Sequence, residues 1–137
     1  MKNKSLFYLL SLTWGIPMTF IGFIVAGVLL CAGYKPKRWG GCWYFTVGKN
    51  WGGLELGLIF LTDNNNSTHV KNHEFGHAIQ NCIFGPFMPF IVCIPSAIRY
   101  WYRELRQRKG LKNKTAYDDI WFEGSATRLG NTFISKW

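Results

Sequence analysis

Acidic residues are scarce in this 137-residue chain: seven Asp and Glu stand against sixteen Lys and Arg, giving a formal net charge of +9. No charged residue occurs between Ser5 and Tyr34, and none between Ala78 and Ile98. The four cysteines, Cys31, Cys42, Cys82 and Cys93, include no CxxC pair, and no histidine follows His77. The missing pairs argue against a zinc–thiolate centre, which uses closely spaced cysteines, and no spacing suggests a disulfide framework. The cysteines read as small hydrophobes. Internal repeats are also lacking, and the length allows one domain, so any site must be built within a single compact unit.

What the chain does have is charge in a particular place. Seven of the sixteen basic residues lie between Arg99 and Lys114, directly after an apolar stretch. This is a juxtamembrane arrangement rather than a nucleic-acid face, and no nucleic-acid partner is expected. The uncharged run from Ser5 to Tyr34 exceeds the roughly 20 apolar residues that span a bilayer. It predicts an N-terminal transmembrane helix over about 6–34, within an anchor over 1–38. Trp14-Gly15-Ile16-Pro17 either kinks this helix or ends a short interfacial one ahead of a span from about Met18 to Ala32.

Residues 39–137 are expected to form the working domain, α+β and mainly helical. Cys42 to Val47 and Leu54 to Leu61 are rich in strand formers, and Gly48 to Gly53 between them reads as a turn, which predicts a small two-stranded sheet. A helix is expected from Thr68 to Phe84, stopped by Gly85-Pro86. Pro86, Pro89 and Pro95 break the apolar segment 82–98, so it is read as re-entrant, interfacial or core. A basic helix should follow over Arg99 to Lys109. The last helix should run from Tyr117 to Leu129, with Thr115 and Asp118 as a capping box and Gly130 as its end.

The chemistry centres on His73-Glu74-Phe75-Gly76-His77. Four residues along a helix is about 6 Å, nearly in line, so both imidazoles can reach one cation. Glu74 is rotated by about 100° from His73, beside the open coordination position, where it can take a proton from zinc-bound water. This HExxH arrangement implies one Zn2+ per chain held by His73 and His77, with Glu74 catalytic. A catalytic zinc takes a third protein ligand, and without a later histidine it must be a carboxylate. Glu123 is the choice among Asp118, Asp119 and Glu123, because Gly124, Ser125 and Ala126 after it let its helix pack closely on the histidine helix. Asp119, one turn earlier, is a candidate to orient a ligand imidazole. Phe75, Ile79 and Cys82 mark the packing side of the helix, and Gly76 suggests a close backbone approach.

His73-Glu74-Phe75-Gly76-His77 followed by Glu123-Gly124-Ser125-Ala126 resembles the gluzincin metallopeptidases, in which HExxH and a later ExxA-type helix supply two histidines and a glutamate. Membrane-bound prenyl-protein proteases and heat-shock metalloproteases share this pattern and typically carry Asp after the Ala, where this chain has Thr127. The stretch from Asn72 to Arg103 also looks like small bacterial membrane proteins that carry HEFGH. The resemblance implies a zincin-like fold and a zinc site but no particular substrate; a peptide or protein substrate near the membrane is the partner expected from the reaction. By analogy, the strand from Gly53 through Leu54, Glu55 and Leu56 onward would hold the substrate at its edge.

A shared ion also constrains topology. If Glu123 joins the histidines, the segment 82–98 cannot carry the chain across the bilayer, because no later apolar stretch returns it. The expected place is a bacterial inner or plasma membrane, with the catalytic domain on the cytoplasmic side by the positive-inside rule. The function expected is zinc-dependent peptide-bond hydrolysis at the lipid bilayer. The alternative is a non-catalytic, membrane-anchored, zinc-containing adaptor that binds anionic lipid or a partner protein through Arg99 to Lys114.

Overall fold

Gly15 and Pro17 divide the first apolar stretch in two. The computed structural model describes residues 4–49, 53–64, 68–110 and 121–136. In it α1 (Lys4–Leu12) and α2 (Ile16–Cys31) meet at 85°, so the single helix expected over about 6–34 does not form. Pro17 lies in the first turn of α2, where a missing N–H leaves no helical bond unmade. Gly15 takes the Asn81 side-chain amide on its carbonyl at 3.2 Å, which ties the elbow to the rest of the molecule. Phe7 and Ser11 of α1 and Met18, Thr19 and Gly22 of α2 are buried, whereas Phe20, Phe23, Ile24 and Val28 face outward. Among the described residues no single helix is long and apolar enough to cross a membrane. Two bent pairs meet both criteria together, Lys4–Leu12 with Ile16–Cys31 and Thr68–Phe87 with Pro89–Arg108, the latter bent by 113°.

The sheet has four strands rather than the expected two: β1 (Lys37–Trp39), β2 (Cys42–Thr46), β3 (Gly53–Leu56) and β4 (Ile59–Thr62), in the order β1-β2-β4-β3. The run Leu54 to Leu61 is not one strand, because Gly57 at φ +72 turns it back on itself after Leu56. The Glu55 carboxylate accepts the Gly57 N–H and fastens that turn. β2 then pairs parallel with β4, not as a hairpin with the strand after the glycine-rich turn. β3 is left at one edge.

Behind the sheet lies α3 (Thr68–Phe84), with the expected bounds. Gly85 at φ +57 begins a 3-10 turn (Gly85–Phe87), a π-helical turn follows (Pro89–Cys93), and α4 (Ile94–Arg108) starts five residues before the expected Arg99. α5 is described over Trp121–Phe133. The expected start at Tyr117, with Thr115, Asp118 and Asp119, lies outside the described residues. Gly130 does not end α5. It lies inside the helix because its missing side chain admits the Asn72 carbonyl of α3, with which a Cβ would collide. The main core joins Phe7 of α1, Cys42, Tyr44 and Phe60 of the sheet, and Phe75, Ile79 and Cys82 of α3. Tyr44 and Phe60 stack with centroids 5.1 Å apart. Each such side chain stabilises the fold by about 1.5–3 kcal/mol when fully buried.

Candidate metal centre

The histidine helix is held at its distance from α5 by two glycines. A Cβ on Gly76 would strike the Ala126 carbonyl, just as one on Gly130 would strike that of Asn72. The close approach suggested by Gly76 is therefore real, and its partner is the helix that carries Glu123. Gln80 adds a tether, donating from Nε2 to the Phe122 carbonyl at 2.8 Å.

At this crossing His73, His77 and Glu123 come together. Glu123 Oε2 stands 2.8 Å from His73 Nε2 and 3.2 Å from His77 Nε2, and the two Nε2 atoms are 3.1 Å apart. All three residues are buried and close enough to hold one metal ion. The spacings are slightly shorter than the edges of roughly 3.3 Å that three ligands make around a tetrahedral ion with bonds of about 2.0–2.1 Å. A small outward movement of each group fits them to such an ion.

The far side of each ring supports the same reading. Gln80 Nε2 is committed to Phe122, so Gln80 Oε1 faces His77 Nδ1, at 2.8 Å, and can only accept. His77 Nδ1 therefore carries a hydrogen, and Nε2 is the ring atom turned to the centre. His73 Nδ1 lies 2.7 Å from Thr127 Oγ1, which can accept in the same way. Thr127 thus occupies the supporting position that the resemblance assigns to an Asp. The sequence reading favoured Asp119 for that role, and Asp119 lies outside the described residues. Ser96 Oγ of α4 donates to Glu123 Oε1, so the second carboxylate oxygen is held as well. Nothing in the sequence pattern marks Ser96, because only the bent path through Pro89 and Pro95 brings α4 back over α5.

Electrostatics favour a cation. Burial pushes the His77 pKa down, but the Glu123 hydrogen bond and the charges of Glu74, Glu123 and Glu55 more than offset it and raise it to about 9. Glu123 moves the other way: burial raises it, and the hydrogen bonds from His73, His77 and Ser96 and the His77 charge carry it well below the ordinary carboxylate range.

Glu74 is buried beside the triad, and burial raises its pKa against the lowering charges of His77 and His73. It lines a cavity of about 500 Å³ together with His73 and His77, the β3 residues Gly53, Leu54 and Glu55, and Ser96, Ala97, Tyr100 and Trp101 of α4. Gly53 abuts Glu74: a Cβ there would lie 2.8 Å from Glu74 Oε1. The strand residues singled out for a substrate edge are thus on an edge strand, and three of the four border the cavity; Leu56 faces the second core cluster with Met18 and Phe122. His69, Tyr100 and Trp101 also border it and carry no signal in the sequence. Of the four cysteines, Cys42 and Cys82 are buried, Cys93 is half-buried and Cys31 is exposed, so only the first two are packed as hydrophobes in the core.

No protein-family model, curated protein or solved structure matches this chain.

Proposed function

We propose that this protein is a membrane-associated zinc metallopeptidase in which His73, His77 and Glu123 hold the ion and Glu74 is the general base. The observation that carries the reading is the meeting of two Nε2 atoms and Oε2 at 2.8–3.2 Å, with both outer ring nitrogens engaged by Gln80 and Thr127. Two imidazoles and a carboxylate are the donor set of catalytic zinc with a position left open. When bound, zinc supplies Lewis acidity that polarises a carbonyl and acidifies a water.

The remaining work falls to the chain. Glu74, made more basic by burial and held in check by the charges of His77 and His73, takes a proton from water and returns it to the departing amine. An extended peptide fits beside β3, whose outer edge can offer backbone hydrogen bonds to a substrate running past Glu74. The apolar walls from Leu54, Val70, Met88 and Ala97 exclude water around it. The exposed apolar side chains of α2, together with Phe87, Phe90, Ile98 and Trp101, favour a seat at a bilayer. The basic turn of α4 favours the cytoplasmic side.

The test uses full-length protein in detergent, with a quenched-peptide library as substrate. Wild type should contain about one zinc per chain and cleave, and Glu74→Gln should keep the zinc and lose cleavage. Equal cleavage by the two proteins would remove Glu74 from the chemistry.

A further inference from the structure

Glu55 is a buried carboxyl in the cavity wall that neither the metal triad nor the proton transfer uses. It is 4% exposed, and while Oε1 accepts the Gly57 N–H, Oε2 meets no hydrogen-bond partner among the described residues. A buried acceptor in that state is unfavourable, so a donor arriving with a ligand would be bound strongly. Strand alternation puts Glu55 on the same face as Gly53, and Gly53 is where β3 touches Glu74. Along the strand Glu55 is about 7 Å from Gly53, the length of roughly two residues of an extended substrate.

The charges around it select the donor. Fully ionised, Glu55, Glu74 and Glu123 would set three negative charges against one divalent ion, one positive charge short of balance, so Glu55 ionises at the least cost when a further cation lies beside it. Burial already raises the Glu55 pKa to about 8, with the His77 charge opposing and the Glu74 charge adding. A ligand that brings an ammonium group supplies both the missing hydrogen bonds and the missing charge, which a neutral amide N–H does not.

Resting on the metallopeptidase reading, we propose that Glu55 is a specificity residue that binds a primary ammonium group of the substrate beside the metal. The group can come from a free amino terminus or from a lysine side chain, and both offer the same three donors.

Metal-directed probes separate these sources. Dissociation constants are measured for leucine hydroxamate, Nα-acetyl-leucine hydroxamate and Nα-acetyl-lysine hydroxamate on full-length, zinc-loaded protein. At least one amine-bearing probe should bind about tenfold tighter or more than acetyl-leucine hydroxamate, and which one identifies the source. In Glu55→Gln, which keeps an oxygen for the Gly57 N–H, that advantage should vanish while acetyl-leucine hydroxamate binds as before. Equal binding of all three probes to wild type overturns the proposal without reference to any variant. So does an advantage that persists in Glu55→Gln. Protein that takes up no zinc fails earlier, at the metal reading, and zinc analysis of the same sample tells the two failures apart.

Discussion

Gly76 of α3 rests directly on the carbonyl of Ala126 in α5, in a space that no Cβ can enter. The grouping of His73, His77 and Glu123 depends on this contact, because Glu123 lies one turn before Ala126 on the same helix. Gly76→Ala gains about 1 kcal/mol of helix propensity but forces the helices apart, and overpacking of this kind costs about 1–3 kcal/mol. The net expected effect is a lower melting temperature together with weaker zinc binding. Thermal unfolding of the zinc-free and zinc-loaded protein reads both, and a variant that is stabilised in each state would contradict the packing described.

His77→Ala and Glu123→Ala should each abolish stoichiometric zinc, because each removes a ligand from a set of three. Elemental analysis after dialysis is the measurement. Zinc retained at one per chain by either variant would place the ion elsewhere.

Thr127→Ala should leave all three ligands in place and weaken zinc roughly 10–100-fold, since it removes only the acceptor on His73 Nδ1. Thr127→Ser keeps a hydroxyl and should restore much of the affinity. Competition against a chelator of known affinity separates the two, and an equal loss in both would point to the methyl group and packing instead.

Ser96→Ala frees the second Glu123 oxygen and should weaken zinc by a smaller factor than Glu123→Ala. If the two variants lose zinc equally, Ser96 does more than steady the carboxylate.

Gly53→Val puts a branched side chain where β3 meets Glu74. The expected result is normal zinc content with peptide cleavage reduced as for Glu74→Gln. Unchanged cleavage would show that neither the base nor the strand edge works where they meet.

Parts of this arrangement could be read from residue order, and parts could not. The bounds of α3 follow from a polar loop before Thr68 and Gly85-Pro86 after Phe84, which are local signals. Gly76 was readable as a close approach, because a glycine inside a helix needs a reason. Gly130 was misread as a helix end: a helix-terminating glycine and a helix-packing glycine are identical in sequence, and only the Asn72 carbonyl distinguishes them. The strand pairing failed for a similar reason. Gly57 lies between apolar residues that look continuous, and its turn is secured by Glu55 and by the close approach of Thr19 from α2.

The order of residues by itself determined the helical spacing of His73 and His77 and the placement of Glu74 beside them, and it left a carboxylate as the expected third group, because helix geometry is a local rule. Tertiary structure alone decided that Thr127 meets His73, that Ser96 holds Glu123, and that Glu55 is enclosed in the same cavity wall as Glu74. Those contacts join residues as many as 54 positions apart, and they exist only once the glycine-mediated crossing of α3 and α5 and the bend into α4 have been made.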